Sequence, residues 1–109
     1  MIMPQYKVKD LKVGMKDVNV EVTVDFLGEK RATDGFNNDT FIVSFVKDET
    51  GEIKMLFWNE DVKKAKPGKK FKIVKGYVTA FKGAIQLNAS KEKGILWLFP
   101  WLLPEVPSF

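Results

Sequence analysis

The sequence predicts an all-β domain of five short strands, with one short helix between the third strand and the fourth. Segments that alternate apolar with polar residues recur between residues 18 and 89, and such alternation is typical of strands buried on one face. Compact turn sequences, Asp48-Glu49-Thr50-Gly51 and Lys82-Gly83, separate successive segments. A chain of 109 residues has room for one hydrophobic core. We therefore expect a single domain whose strands close on themselves.

The first two strands lie on either side of a polar stretch. Val18 to Leu27 alternates apolar with polar residues and predicts a strand with one buried face. Gly28 to Asp39 is polar, rich in turn formers and contains the cations Lys30 and Arg31, so it predicts a long basic loop. Thr40 to Lys47 is the predicted second strand.

The third strand and the helix follow without a long connection. In Glu52 to Trp58 the apolar odd-numbered residues are expected to face the core, which places Trp58 on the solvent side. Gly51 is predicted to adopt a positive φ before this strand. Asn59 is predicted to cap a helix in which acidic residues come first and basic residues last, as the helix dipole favours. Pro67-Gly68 ends that helix.

The fourth and fifth strands are predicted to form a hairpin. Lys69 to Phe81 changes its inward parity near Gly76, which indicates a glycine bulge and a sharp bend. Only Lys82-Gly83 separates it from Ala84 to Ala89, so the turn is tight. The residues predicted to face the core are Val78, Ala80, Ile85, Leu87 and Ala89. The residues predicted to face solvent are Tyr77, Thr79, Phe81, Gln86 and Asn88.

This order of elements, β-β-β-α-β-β, predicts an oligonucleotide/oligosaccharide-binding (OB) barrel, a five-stranded Greek key. Such a barrel binds ligands on the face of its second and third strands and on the loops beside them. Here that face carries aromatic side chains, amides and cations, a combination suited to stacking on unpaired bases and contacting phosphates. The candidate nucleic-acid-binding residues are Trp58, Tyr77, Phe81, Arg31, Lys30, Lys54, Lys82, Thr79, Gln86 and Asn88.

The composition excludes several classes of chemistry. The chain has no cysteine and no histidine, so disulfides, thiolate or imidazole metal sites and histidine-dependent catalysis are excluded. Its 14 acidic residues show no pairing in a pocket, and we predict no catalytic residue, metal or cofactor. The net charge of +4 is compatible with a polyanionic partner or with solubility alone. Met1 to Tyr6 shows no signal peptide, so the cytoplasm is the expected location.

Residues 95–109 form a hydrophobic, proline-rich tail after the predicted barrel domain of residues 1–94. Its apolar run is too short for a bilayer, which needs about 20 residues, and its prolines disfavour a helix. The tail can fold back along its own barrel, dock on another protein or a second copy, or lie on a membrane surface. We expect contact with protein and no membrane. The candidate partner-binding residues are Leu96, Trp97, Phe99, Trp101, Leu102 and Leu103.

Several motifs, in this order and spacing, resemble one family, the compact single-barrel single-stranded DNA-binding proteins of crenarchaeal type, related to the OB domains of replication protein A. The resemblance covers about Val8 to Ser90 and rests on Val8-Lys9-Asp10-Leu11-Lys12, Val18-Asn19-Val20, Asp48-Glu49-Thr50-Gly51, Leu56-Phe57-Trp58, Thr79-Ala80-Phe81-Lys82-Gly83 and Gln86-Leu87-Asn88. It implies that Trp58, Tyr77 and Phe81 stack bases, with tyrosine where tryptophan is usual, and that Arg31 is the basic loop residue. The apolar tail departs from the family, which usually ends in a polar or glycine-rich segment.

Two functions are compatible with these features. The first is non-enzymatic, sequence-tolerant binding of single-stranded DNA in replication, repair or recombination. The alternative is an OB-fold subunit held in a complex or a homo-oligomer by its tail, binding nucleic acid weakly or only within that complex. Neither reading distinguishes DNA from RNA.

Overall fold

Six strands and one short helix make up the part of the chain that the computed structural model describes, residues 5–32, 39–90 and 94–98. A 3₁₀ turn at Val8–Asp10 precedes them. The strands and the helix are β1 Val18–Ala32, β2 Thr40–Asp48, β3 Gly51–Trp58, α1 Glu60–Lys64, β4 Lys70–Phe81, β5 Ala84–Asn88 and β6 Ile95–Leu98.

The first five strands close into a barrel. Strands β1, β2 and β3 pair antiparallel in succession, and β3 then pairs in parallel with β5. Strand β5 pairs antiparallel with β4, and β4 pairs with β1 to complete the ring. The helix lies between β3 and β4 in the chain. The predicted five-stranded barrel with its single helix is confirmed.

The alternating apolar residues of β1 and β3 fill the barrel interior as predicted, except that Phe26, the last apolar residue in the alternation of β1, is exposed because the register shifts between Val24 and Phe26. The inward valines of β1 at positions 18, 20, 22 and 24 are buried, and so are Met55 and Phe57 of β3. Phe57 meets Phe71 of β4 edge to face, with ring centroids 5.4 Å apart. The one buried polar side chain among the described residues, Ser44, donates its hydroxyl proton to the carbonyl of Met55 at 2.7 Å. Its polar group is therefore satisfied.

Gly76 forms the predicted bulge in β4. Val18 is opposite Gly76 and Val20 is opposite Ile73, so β4 carries one extra residue between these pairs. A Cβ on Gly76 would lie 2.5 Å from Cγ2 of Ile73 and 2.7 Å from the carbonyl oxygen of Asn88. Only glycine fits there. The extra residue changes which side of the strand faces inward, and this places Tyr77 outside.

The long basic loop predicted for residues 28–39 is wrong for its first part. Strand β1 continues to Ala32, with Lys30 opposite Ile42 and Arg31 opposite Phe41. Two register shifts along β1 interrupt the alternation that would have marked a strand. This end of the strand is also exposed on both faces, so its residues are polar. Residues 33–38 lie outside the described part of the chain.

Two predicted backbone features are also wrong. Gly51 is not among the described glycines with positive φ; the Asp48 carboxylate instead stabilises that turn by accepting the N–H of Thr50 at 2.7 Å and its hydroxyl at 2.6 Å. Asn59 precedes α1 but does not cap it. Its own φ is 50°, outside the extended region of an N-cap, and its Oδ1 accepts the N–H of Thr40 at 3.0 Å.

The β4–β5 hairpin differs from the prediction at its tip. Lys82 and Gly83 have φ values of 50° and 82°, as a two-residue type I′ turn requires, so the tight turn is present. Ala80 and Ile85, predicted to face the core, are paired with each other and exposed. The hairpin tip extends past the barrel, where the inner side of the strands has no core to pack against.

Strand β6 is formed by the first residues of the predicted tail. It pairs antiparallel with residues 70–73 of β4. The ring centroid of Trp97 lies 5.4 Å from that of Phe57 and 4.9 Å from that of Phe71, and Nε1–H donates to Asp61 of α1 at 3.2 Å. Trp97, which the sequence assigns to a partner surface, thus packs on its own barrel, whereas Leu96 is exposed. Phe99, Trp101, Leu102 and Leu103 lie outside the described residues. Among the described residues, no helix is long and apolar enough to cross a membrane.

Candidate nucleic-acid interface

The outward side chains of four neighbouring strands form one continuous surface. Directly paired residues point to the same side of a sheet, so the strand register identifies which residues share it. We call this surface the aromatic face. It consists of Phe41, Val43 and Phe45 on β2, Lys54, Leu56 and Trp58 on β3, Gln86 and Asn88 on β5, and Tyr77, Thr79 and Phe81 on β4.

The three rings predicted to stack bases lie together on this face. Trp58 is 43% exposed, Tyr77 42% and Phe81 52%. Strand β3 holds Trp58 next to the buried Phe57, and the bulge at Gly76 turns Tyr77 and Phe81 outward. Rings of this size usually lose most of their exposure on folding, so half-exposed rings on one sheet face indicate a ligand surface.

Trp58 has an aromatic neighbour that is not among the residues predicted from the sequence. Phe41 is its cross-strand partner, with ring centroids 5.0 Å apart and an interplanar angle of 35°. Arg31 is in turn opposite Phe41, so Arg31, Phe41 and Trp58 form a row across three strands. Alternation in β2, with Ile42 inward, could have identified Phe41.

The two cations predicted at the start of the loop point to different sides. Lys30 is paired with Ile42, an inward-facing residue, whereas Arg31 is paired with Phe41 of the aromatic face. Both are exposed. The structure therefore brings Arg31 to the candidate site and places Lys30 on the reverse side of the β1–β2 hairpin.

Two lysines flank Phe81. The Nζ of Lys54 lies 5.1 Å from the ring centroid and that of Lys82 lies 5.5 Å from it, both within cation–π range. Ion pairs among the described residues include Lys7–Glu49, Lys47–Asp25, Lys63–Glu60 and Lys70–Glu21. Within that part of the chain no carboxylate pairs with Lys54, Lys82 or Arg31. Their charges are therefore available to an anionic ligand.

The side-chain amides of Gln86 and Asn88 on β5 differ in which hydrogen-bonding atoms remain available to a ligand. Nδ2 of Asn88 donates to the carbonyl of Tyr77 at 3.2 Å, the hydroxyl of Thr79 at 3.0 Å and the carbonyl of Gln86 at 3.1 Å. Nε2 of Gln86 donates to Oδ1 of Asn88 at 3.1 Å. Asn88 thus positions the hairpin, while the side-chain carbonyl of Gln86 remains available to a ligand.

One margin of the aromatic face is acidic. Nζ of Lys47 forms an ion pair with Oδ1 of Asp25 at 2.9 Å. Lys47 is opposite Glu52, in the row beside Phe45. The hydrogen bond from Lys47 lowers the pKa of Asp25, and the hydrogen bond between Glu52 and Asp25 raises the pKa of Glu52. At neutral pH the three groups carry a net charge of −1 by simple count, which disfavours phosphate at this margin. Among the described residues no cluster of acidic side chains is suited to hold a metal ion.

A groove of about 400 Å³ lies beside Tyr77. Lys16, Asp17 and Lys75 line it together with Thr79 and the Gly76 bulge. The groove adds two lysines and one aspartate next to Tyr77.

No protein-family model matches the chain. The single-stranded DNA-binding protein Ssb of Saccharolobus solfataricus is 39% identical to it over 90 residues, which are 82% of this chain and 61% of that protein. This chain is a relative of that archaeal protein. The resemblance predicted from the sequence is thereby confirmed. The chain spans less than two thirds of the length of the relative it matches.

Solved structures show the same fold at lower identity. A domain of replication protein A from Methanococcus maripaludis superposes with a TM-score of 0.69 at 22% identity, covering 87% of this chain and 96% of that one. A replication factor A related protein from Methanobacterium thermoautotrophicum gives 0.69 at 20% identity, covering 89% and 93%. The OB domain of Ta0387 from Thermoplasma acidophilum gives 0.72 at 14% identity, covering 96% and 92%. The chain has the OB fold.

Proposed function

We propose that this protein binds single-stranded DNA on the aromatic face and is a binding protein rather than an enzyme. The observation that carries the proposal is the set of three half-exposed rings, Trp58, Tyr77 and Phe81, on one sheet face with unpaired cations beside them. The archaeal relative, whose name states single-stranded DNA binding, supports the same function.

Stacking explains why the ligand is single-stranded. In a duplex the bases are stacked on one another and their faces are not accessible to a ring on the protein. Each base stacked on an aromatic side chain contributes about 1 to 3 kcal/mol, and the contribution depends little on base identity. We therefore expect little sequence preference.

Cations at the two ends of the face are proposed to contact the backbone of the strand. Arg31 lies in the Trp58 row, and Lys54 and Lys82 flank Phe81. Their separation lets one strand contact cations at both ends while its bases lie on the rings. Gln86 and Thr79, between Phe81 and Tyr77, can bond base edges. We place this activity in replication, repair or recombination, in the cytoplasm.

The alternative of an assembly subunit has less support. The relative favours DNA binding. In addition, Trp97 packs on Phe57 and Phe71 of its own barrel, which removes one ring from the proposed partner surface. Exposed Leu96 and the residues beyond Leu98 remain candidates for a protein contact.

The direct test compares a fluorescently labelled oligo-dT with a duplex of the same length, at one fixed salt concentration, by anisotropy. We expect the single strand to bind at least about tenfold more tightly and to quench tryptophan emission. Phe81→Ala should weaken binding about tenfold, whereas Val13→Ala, at a residue 55% exposed in a turn outside the aromatic face, should not. Equal affinity for duplex and single strand would refute the stacking mechanism.

A further inference from the structure

Two more exposed rings lie beside the three that the sequence identifies. Phe26 on β1 is 55% exposed and Phe45 on β2 is 37% exposed. They are cross-strand partners, with ring centroids 6.4 Å apart and an interplanar angle of 45°. At that distance and tilt neither ring covers the face of the other.

The strand register connects this pair to the aromatic face. Phe45 is opposite Lys54, Lys54 is opposite Gln86, and Gln86 is opposite Thr79. Phe26, Phe45, Lys54, Gln86 and Thr79 therefore form one row across all five strands of the barrel. Lys54, whose Nζ lies over Phe81, stands directly between the pair and the predicted stacking site.

We propose that Phe26 and Phe45 form a further stacking platform, which extends the path of single-stranded DNA onto β1 and β2. The inference rests on the proposed function, because it gives the same ligand a longer contact. A base placed on this pair would leave its phosphate next to Lys54, the nearest cation in the row.

The size and borders of the pair favour a base over a protein surface. A phenylalanine side chain presents about 200 Å², so the two exposed fractions together amount to about 200 Å². A stable protein interface buries about 800 Å² on each partner. Charged residues enclose the pair, with Asp25 and Lys47 on one side and Lys54 on the other. A patch of this size matches one or two bases.

The acidic margin predicts where the path ends. Lys47 and Glu52 form the row beyond Phe45, and Lys47 is ion-paired with Asp25 of β1, so the three groups carry a net negative charge at neutral pH. A phosphate is repelled there and attracted at Lys54. The strand should therefore end at the pair and not continue past Glu52.

The test measures affinity for oligo-dT of about 4 to 16 nucleotides, the range of site sizes for one OB fold. The double variant Phe26→Thr, Phe45→Thr removes both rings and keeps β-branched residues that suit a strand. We expect about a tenfold loss for the longest oligonucleotides and none for the shortest. Tryptophan quenching at saturation should persist, because Trp58 is intact. The variant Phe26→Tyr, Phe45→Tyr should restore full affinity, and Val13→Thr, at an exposed turn residue outside the aromatic face, should have no effect.

Four results would overturn the inference. Unchanged affinity at every length would show that the rings do not contact DNA. A change in sedimentation mass of the free protein without a change in affinity would assign the pair to self-association. An equal loss of affinity at all lengths, together with a lower melting temperature, would indicate a structural role if the single variants Phe26→Thr and Phe45→Thr, which perturb the sheet less, showed the same two changes. Failure of the unaltered protein to bind any oligo-dT would refute the proposed function itself, and the platform with it.

Discussion

Two adjacent residues of β3 test the assignment of its faces. Phe57 is fully buried and contacts the rings of Phe71 and Trp97, so Phe57→Ala should cost about 3 to 5 kcal/mol of stability. At roughly 4 to 8 °C per kcal/mol for a domain of this size, the melting temperature should fall by at least about 12 °C. Trp58 is 43% exposed, and its ring contact with Phe41 is worth about 0.5 to 1.5 kcal/mol. Trp58→Ala should therefore lower the melting temperature by less than Phe57→Ala does.

The effect on binding should run in the opposite direction. Trp58→Ala removes a stacking contribution of about 1 to 3 kcal/mol, which corresponds to about a 5- to 150-fold increase in Kd. Melting followed by circular dichroism gives the stability, and anisotropy of a labelled oligo-dT gives the Kd without depending on tryptophan emission. Phe57→Ala should bind normally at temperatures where it remains folded. A stable, binding-deficient Phe57→Ala together with an unfolded Trp58→Ala would mean that the two faces of β3 are reversed.

Three further predictions concern charge, the sixth strand and acid. The logarithm of the affinity should fall with the logarithm of the salt concentration at a slope of about −0.7 per phosphate neutralised. Arg31→Ala and Lys82→Ala should each make this slope shallower. An unchanged slope in both variants would show that these cations do not contact the DNA backbone. Deleting residues 95–109 should lower the melting temperature, because Trp97 leaves Phe57 uncovered, while DNA affinity stays within a few-fold; loss of binding at unchanged stability would instead place the tail in the DNA site. Burial raises the pKa of Asp48, but hydrogen bonds from Thr50 and Val8 outweigh it and leave the pKa below its usual value. This stabilisation is present above the unfolded pKa near about 4 and is lost as pH falls through the folded value, so Asp48→Ala should be less stable at pH 7 and lose less stability on acidification; equal acid sensitivity would contradict this role.

Local alternation was enough to predict the barrel strands and the outward rings. The three rings Trp58, Tyr77 and Phe81 could be placed because each lies in a segment whose buried residues recur with a clear period of two. The bulge at Gly76 is visible in the sequence as a break in that period. Phe41 and Phe45 could have been found by the same reasoning.

The remaining features depend on contacts between distant parts of the chain. The far end of β1 could not be predicted, because two bulges disrupt its alternation and no core covers it. The same bulges decide that Arg31, and not Lys30, lies on the side of the aromatic face. Strand β6 is apolar throughout, so its period gives no direction. Only the pairing with β4 and the contact of Trp97 with Phe57 and Phe71 place it in the sheet.

The positions of Trp58 and Trp97 on opposite sides of β3 have a spectroscopic consequence. The indole of Trp58 is half exposed on the aromatic face, whereas that of Trp97 is partly buried against Phe57 and hydrogen-bonded to Asp61. A nucleobase stacked on the face would quench the fluorescence of Trp58, and unfolding of the barrel would shift the emission maximum of Trp97. With Trp101 replaced by phenylalanine, the protein would carry its own two-channel reporter, in which occupancy and unfolding are recorded in one cuvette without any attached dye.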